Sequence, residues 1–441
     1  MQYGRAVVIG GGMGGLVTAR VLADHFTSVV LLDRDTLPDE PGDRGGIPQG
    51  HHVHTILPGG FEILDGLLPG LAQELRDGGS HVPEPHEFYF LTPEGRSYSQ
   101  LLHMPEPPPR RPGVGGGYFQ TRAWLEHCVR RRVAALPNVE IRDRTMVREL
   151  IAEGTCVRGV RTAEDGKALE ADLVLDATGR VSRTLGWLDT LGFERPRESR
   201  IHCDFAYASM RVRPADPTRF PDVGCLIRGD SAHPRRGGAL FRVEDDSILA
   251  TLGGRLGDYP PTEVDDFVEF AATLADPLFH DVVKGAEIVA PLQRFRFPDE
   301  IRRHYRELDA FPEGLLPIGD AVCHFNPNYG QGMSSAARQA VALGDVLRAR
   351  REAGEPLSGT WRAYFEAAHE QTRAPWLLAA LSDFEHEGTT GDFPVEEQPA
   401  MAALGQLRER ALAGDLEAGA TLVDVTQMRQ PLSVLDSLLS N

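Results

Sequence analysis

The stretch RAVVIG (5–10), GGMGG (11–15), LVTARVLADHF (16–26) and SVVLLDRD (28–35) decides the fold. Its first segment is a short β-branched apolar run. The third places Leu16, Val17, Ala19, Val21 and Leu22 on a helical stripe, and the last is a second buried strand. Strand, glycine turn, helix and strand within about 30 residues make a βαβ unit of the dinucleotide-binding kind. Gly10, Gly12 and Gly15 match G-x-G-x-x-G, with Met13 and Gly14 between them. The first glycine permits a tight turn, the second lets backbone approach a pyrophosphate, and the third lets helix pack on strand. Helix N-terminal amides then face the anion. Glycine clusters also make ordinary turns, but placement between a strand and an amphipathic helix favours the nucleotide reading. Asp33 ends the second strand where a carboxylate can accept from a ribose diol, with Arg34 beside it. An acid there suits FAD or NAD better than NADP.

Working outward, 441 residues are too many for one small core, so two packed domains sharing an interface are expected. A composition 41% hydrophobic and 25% charged is that of a globular chain. The formal charge of −18 argues against nucleic acid or an acidic membrane surface as partner, while leaving room for a local basic pocket. Cysteines at 128, 156, 203, 225 and 323 show no C-x-x-C pairing and read as reduced thiols of a cytoplasmic protein. The N-terminus runs directly into a strand and reads as part of the fold. Without about 18 consecutive apolar residues anywhere, no transmembrane helix is expected and the chain is not an integral membrane protein.

Between 38 and 54, and again between 81 and 117, Pro and Gly replace periodicity, and no regular element is expected. TRAWLEHCVRRRVAAL (121–136) reads as a helix, followed by strands at 139–143, 146–162 and 171–179. From 201 to 256 four consecutive strands imply an antiparallel sheet. Helices around 263–274 and 276–284 follow, then a strand at 314–321, a helix from about Ser334, and a mostly helical tail. The expected architecture is α/β: a Rossmann-like domain in three parts (1–80, 116–195 and 301–350), a loop-rich substrate-side insertion (81–115), an antiparallel sheet domain (196–300) and a helical C-terminal region (351–441).

The second chemistry-bearing stretch is GLLPIGDAVCHFNPNYGQGMSSAARQA (314–340). An apolar strand delivers Gly319 and Asp320, and Asp320 at a strand end can bond a polyhydroxy chain such as ribityl. Gly330 and Gly332 let amides approach a planar, electron-accepting ring near a positive helix end. A plain strand-turn-helix with an N-cap serine is the bland alternative.

G-D followed by N-P-x-x-G-x-G-M resembles the second flavin motif of monooxygenases with the para-hydroxybenzoate hydroxylase fold. GDAVCHFNPNYGQGMS, GIPQGHHVHTILPGG (46–60) and LDATGRVSRTLGWL (175–188) resemble bacterial polyketide-tailoring flavin epoxidases acting on polyenes in polyether biosynthesis. The resemblance spans most of the first 350 residues. It implies that Gly10, Gly12, Gly15, Asp33 and Arg34 hold the ADP half of FAD, with Val147 by the adenine. Arg44 and Arg122 would reach the phosphates or ribityl chain, and Asp320 the ribityl. Gly332 and Met333 would lie along the isoalloxazine. Asp176 and Gly179 stand at the family's D-G motif, which here reads DATG.

Several other residues admit plain structural roles. His51, His52 and His54 have metal-like spacing but no second ligand cluster nearby in sequence, so no metal is expected; the resemblance puts His52 and His54 on a flavin-contacting loop. Cys323 reads as buried filler. Phe205, Tyr207, Phe241 and Arg242 are candidates to line a substrate cavity under the sheet, and His324 could touch substrate. The resemblance implies transfer of one oxygen atom from a flavin C4a-hydroperoxide to an apolar polyketide-like substrate in secondary metabolism, by epoxidation or hydroxylation. Electrons would come from NAD(P)H, directly or through a flavin reductase. No base stands out, which favours an alkene. Two alternatives are a redox-neutral polyketide cyclisation with FAD as structural element, and a flavin-dependent halogenase. Against the latter, no W-x-W-x-x-I-P signature is present.

Overall fold

The computed structural model describes residues 2–98, 106, 117–164 and 166–435. Strand β1 (Tyr3–Ile9), helix α1 (Met13–Leu22) and strand β2 (Phe26–Leu32) form the expected unit. β1 is the middle strand of a five-stranded sheet, between Leu173–Asp176 and β2, with Leu315–Pro317 and Val139–Arg142 at the edges. All four pairings are parallel, and Val7 lies opposite both Val30 and Val174. A parallel sheet is covered on both faces, which is why these strands are continuous aliphatic runs with Ala6, Val7, Val8, Val29 and Leu31 buried. The carboxyl ends of the strands deliver the glycine turn, Asp33, Ala177 and Gly319 to one crevice, where open α/β sheets bind ligands.

The second layer is a nine-stranded sheet built on Glu198–Arg213, paired antiparallel with Ile248–Arg255 and Glu287–Arg303. The four strands expected between 201 and 256 are present. Two features correct the sequence reading. Glu287–Arg303 is a strand 17 residues long where the sequence reading places no element between the helix at 276–284 and the strand at 314–321, and it carries Pro291 and Pro298. The sheet absorbs its irregularity through register shifts against Glu198–Arg213. The segment 81–117, expected to hold no regular element, contains strands Phe88–Thr92 and Gly95–Ser97. Phe88–Thr92 runs parallel to Gly224–Ile227, so the sheet is mixed rather than wholly antiparallel. Its FYF run offers enough apolar surface to outweigh the proline-rich flanks, which at 99–105 and 107–116 lie outside the described residues.

Helices Val264–Ala271 and Leu278–Val283 cover the outer face of this sheet with Phe267, Phe270 and Phe279. The Gly332–Glu352 helix packs on α1 and on Thr360–Asp383, and Gln398–Leu412 and Leu416–Thr426 complete the helical C-terminal region. Among the described residues no helix is long and apolar enough to cross a membrane.

Candidate active site

A single continuous cavity of about 1630 Å³ runs from the glycine turn, under the mixed sheet, to the C-terminal helices. At its nucleotide end Gly10 has φ +103, a conformation that L side chains rarely adopt, and a Cβ on Gly15 would fall 1.8 Å from the Gly10 carbonyl oxygen. Tight turn and close helix packing therefore both depend on glycine. Gly12 is different: a Cβ there would meet only Ile47, at 3.9 Å, and would otherwise project into the cavity. α1 starts at this point without a side-chain cap.

Asp33 is buried against the turn, accepting from the Gly11 amide at 2.6 Å and the Asp35 amide at 2.8 Å. Arg44, expected near phosphates or ribityl, borders the cavity and donates to protein oxygens from all three nitrogens. Nη1 reaches Asp33 at 3.0 Å and Asp35 at 3.2 Å, Nη2 the Gly11 carbonyl at 2.8 Å, and Nε Glu126 at 2.8 Å. Burial disfavours this guanidinium's charge, but Glu126 and Asp33 outweigh it and hold the proton more firmly than usual. Arg44 thus braces the glycine turn. The chain of contacts continues from Glu126 to Arg122 Nη2 at 2.9 Å, and from Arg122 Nη1 to Met333 Sδ at 3.4 Å. Arg34 is exposed at the mouth, and Val147 lines the cavity near Thr145, Arg183 and Trp187.

At the other end Asp320 faces the cavity, its carboxyl raised above the usual range by burial and opposed by Arg180, Arg122 and Arg303. Gly330 has φ +66, and a Cβ there would strike the Thr55 methyl at 2.4 Å. The loop 326–332 is thereby seated on the loop carrying His54 and Thr55. The Gly332–Glu352 helix also begins uncapped, facing the same cavity.

Phe205, Tyr207 and Phe241 line the cavity, joined by Phe88, Phe119, Phe295 and Phe297. Phe119 and Phe241 meet edge-on at 4.6 Å, and Tyr207 lies 5.5 Å from Phe295. Two candidates are corrected. Arg242 is not on the cavity wall: its guanidinium turns to the far side of the strand and donates to the carbonyls of Phe220, Asp222 and Asp246. His324 lies behind the wall, buried edge-on to Phe297 at 5.9 Å, where burial pushes its imidazole down to about 3. Asp176 also lies off the cavity, fully buried, with its carboxylate accepting from Thr178, Ser182 and Thr184. It pins the loop that presents Gly179, which does line the cavity. His54 lines the cavity, whereas His52 is buried under Tyr207 with Nδ1 2.8 Å from Ser209 Oγ. Cys323 is buried, and burial raises its thiol.

Sequence reasoning missed two groups. Arg180 stands in the cavity over the rings of Phe295 and Phe297, at 5.0 and 5.1 Å. Asp383, fully buried, accepts from Arg255 at 2.9 Å, from Asn326 Nδ2 at 3.0 Å and from the Tyr329 hydroxyl. Arg255 and Tyr329 line the cavity. Nothing local in sequence marks Asp383, which lies 54 residues beyond Tyr329.

The residues present fit an FAD. Arg122 Nε and Gln331 Oε1 are buried polar atoms without a partner among the described residues, and Gly12 leaves a cradle that any side chain would fill. Gly12→Val is therefore expected to fold normally, since its Cβ meets no backbone, yet to weaken FAD binding at least about a hundredfold, roughly 2.8 kcal/mol. Flavin titration of the apoprotein checks this; wild-type affinity in a folded Gly12→Val would exclude the cradle.

Comparison with known proteins agrees with this geometry. The family model described as FAD binding domain matches residues 4–370. Protein Rv3254 of Mycobacterium tuberculosis is 31% identical over 450 residues, covering 98% of this chain and 90% of that protein. 6-Methylpretetramide 4-monooxygenase of Streptomyces rimosus is 28% identical over 365 residues, covering 77% and 74% of the two chains. Among solved structures, the flavin-dependent brominase Bmp2 superposes with TM-score 0.65 at 15% identity, covering 99% of this chain and 98% of that one, a likeness of fold.

Proposed function

From a chain that belongs to the FAD binding domain family and is a flavin-dependent monooxygenase, we propose the finer reading that it inserts one oxygen atom into an apolar, ring-bearing or polyene substrate of polyketide type. The observation that carries this reading is the aromatic lining: Phe88 and Phe241 from two strands with Phe119 from the segment before the 122–134 helix, and Phe205, Tyr207, Phe295 and Phe297 from two other strands, all bordering the cavity. Such walls favour a flat, conjugated ligand through stacking and edge contacts.

FAD, when bound, supplies two-electron reduction and activation of dioxygen. The chain's own residues bind, aim and keep the site dry. Gly10, Gly12, Gly15 and Asp33 would hold the ADP half with Arg34 and Val147 at its rim. Asp320 and Arg122 would hold the middle, and Gly330 to Met333 would flank the ring. The phenylalanine walls exclude water from the reacting face, which oxygen transfer requires. Tyr329 holds a proton at its hydroxyl, donated to Asp383, and burial keeps that hydroxyl protonated. Similarity to 6-methylpretetramide 4-monooxygenase of Streptomyces rimosus supports the substrate class.

NADH or NADPH, alone or with a flavin reductase, would supply the electrons. The test is oxygen uptake by the holo-protein with NADH or NADPH, with and without a reductase, in the presence of polycyclic or polyene polyketides, with product mass read out. Products heavier by one oxygen are expected. A flavin that turns over a polyketide without being reduced would replace this reading with redox-neutral cyclisation.

A further inference from the structure

Several of the guanidiniums that border the cavity are held by acids. Arg44 is held by Asp33 and Glu126, Arg122 by Glu126, Arg255 by Asp383, and Arg236 by Asp258 through two bonds of 2.8 Å. Arg180 differs from them. It follows Gly179 in the short helical turn Gly179–Val181, on the loop that Asp176 pins through Thr178, Ser182 and Thr184. Its side chain is exposed where it borders the cavity, and among the described residues it makes no hydrogen bond or ion pair. The guanidinium lies instead 5.0 and 5.1 Å from the ring centres of Phe295 and Phe297, which share one face of their strand two residues apart.

Its charge is felt on two sides of the cavity. It opposes the upward push of burial on the Asp320 carboxyl at the flavin end, and on the Tyr207 hydroxyl among the aromatic walls. No ion pair joins it to Asp320 among the described residues, so its donors are not taken up there. A guanidinium keeps its proton and offers five N–H donors in one plane. Ring faces attract the cation but leave those in-plane donors open. A substrate seated against Phe295 and Phe297 displaces the water that serves them. A neutral hydrocarbon would then leave the donors unpaired in a dry site, which is costly, whereas an anionic oxygen would accept from them in a short charge-assisted bond. The aromatic walls select a flat ring system, so the oxygen that meets Arg180 belongs to the ring as an ionised phenol or enol.

Resting on the monooxygenase reading above, we propose that Arg180 is a specificity-determining residue that selects flat polycyclic substrates bearing an acidic phenol or enol, and binds that oxygen as its anion while the proton leaves to solvent. Polycycles of this kind are thereby favoured over neutral polyenes, which would bury the donors without a partner. The guanidinium also fixes which edge of the ring system lies against Phe295 and Phe297. Ionisation enriches the ring carbons beside that oxygen in electrons, which suits oxygen insertion there.

The test is calorimetric titration of the holo-protein with two probes, a trihydroxyanthraquinone whose most acidic phenol is free and the O-methyl ether of that same phenol. The wild-type protein should bind the free phenol at least about tenfold more tightly, with an affinity that rises with pH through the ligand's own ionisation while that of the ether stays level. Arg180→Met should lose the preference and its pH dependence but keep the ether's affinity and the FAD content, and Arg180→Lys should restore part of the preference. The wild-type comparison decides the matter even if a variant does not fold. Equal binding of both probes at every pH would overturn this inference and leave the monooxygenase reading intact. Binding of neither probe would overturn the polyketide reading and this inference with it. A shifted flavin midpoint potential in Arg180→Met, with the phenol preference retained, would assign the guanidinium to the flavin and overturn the proposal.

Discussion

Asp383→Ala is expected to destabilise the protein by roughly 3–5 kcal/mol, because it strands the Arg255 guanidinium in the interior without its counter-charge. The carboxylate is 0% exposed and ties three parts of the molecule together: Arg255 of the sheet, Asn326 and Tyr329 of the flavin loop, and its own C-terminal helix. Beside it Glu300 accepts from the Asn326 amide at 2.6 Å, and burial, reinforced by Asp383, raises its carboxyl. Removing Asp383 should therefore also loosen residues 326–332 and lower FAD retention. Urea unfolding together with flavin content measures both. The paired change Arg255→Met with Asp383→Leu removes both charges and should recover much of the lost stability, since a buried ion pair is often replaceable by apolar packing. A loss below about 1 kcal/mol in Asp383→Ala would show that the pair is not sealed from water.

Acid should weaken the fold well before its carboxylates titrate. Burial pushes the imidazoles of His52 and His324 down to about 3, and that of His54 to about 4. His304 and His386 are pushed down to about 4 as well, again mainly by burial. A histidine in the unfolded chain titrates near 6.5, so between that pH and about 4 the unfolded state binds protons that the fold refuses. Stability is then present above the unfolded value and is lost as pH falls. At pH 5 the loss is about 2 kcal/mol for each of His52 and His324, or about 4 kcal/mol for the two. The others add with the same sign. Raised carboxyls at Asp320 and Glu300 act oppositely, gaining stability as pH falls, but they are fewer. Melting of the holo-protein should drop steeply between pH 6.5 and 5. His324→Asn should flatten the slope by one proton's worth, and a level profile across that range would show that these imidazoles reach water.

The nucleotide half of the site was legible because its determinants are local. Gly10, Gly12 and Gly15 act on backbone within one turn, and Asp33 ends the next strand, so a run of 30 residues contains the geometry and its reason. The loop from Gly319 to Met333 is likewise contiguous. Alternation placed Phe205 and Tyr207 on one face, but could not say which face met the cavity. Arg242 shows the limit: adjacent to Phe241, it necessarily points the other way along a strand, and only knowing that Phe241 faces inward excludes it.

The family resemblance implies that Arg44 reaches the flavin's phosphates or ribityl chain, and Arg44 does border the cavity. What the sequence does not show is that Asp33, Asp35 and Glu126, from positions up to 82 residues away, also hold it. Strand Glu287–Arg303 is hard to read in the sequence because its prolines are accommodated at register shifts against Glu198–Arg213 that exist only once the two strands pair.

By itself the sequence determined a Rossmann-like FAD site, since short-range backbone sterics and strand hydrophobicity are written residue by residue. Only the tertiary structure decided what faces the flavin. The aromatic walls and the Asp383 clamp arise from side chains far apart in the chain, whose burial and pairing exist only after the sheets and helices have packed.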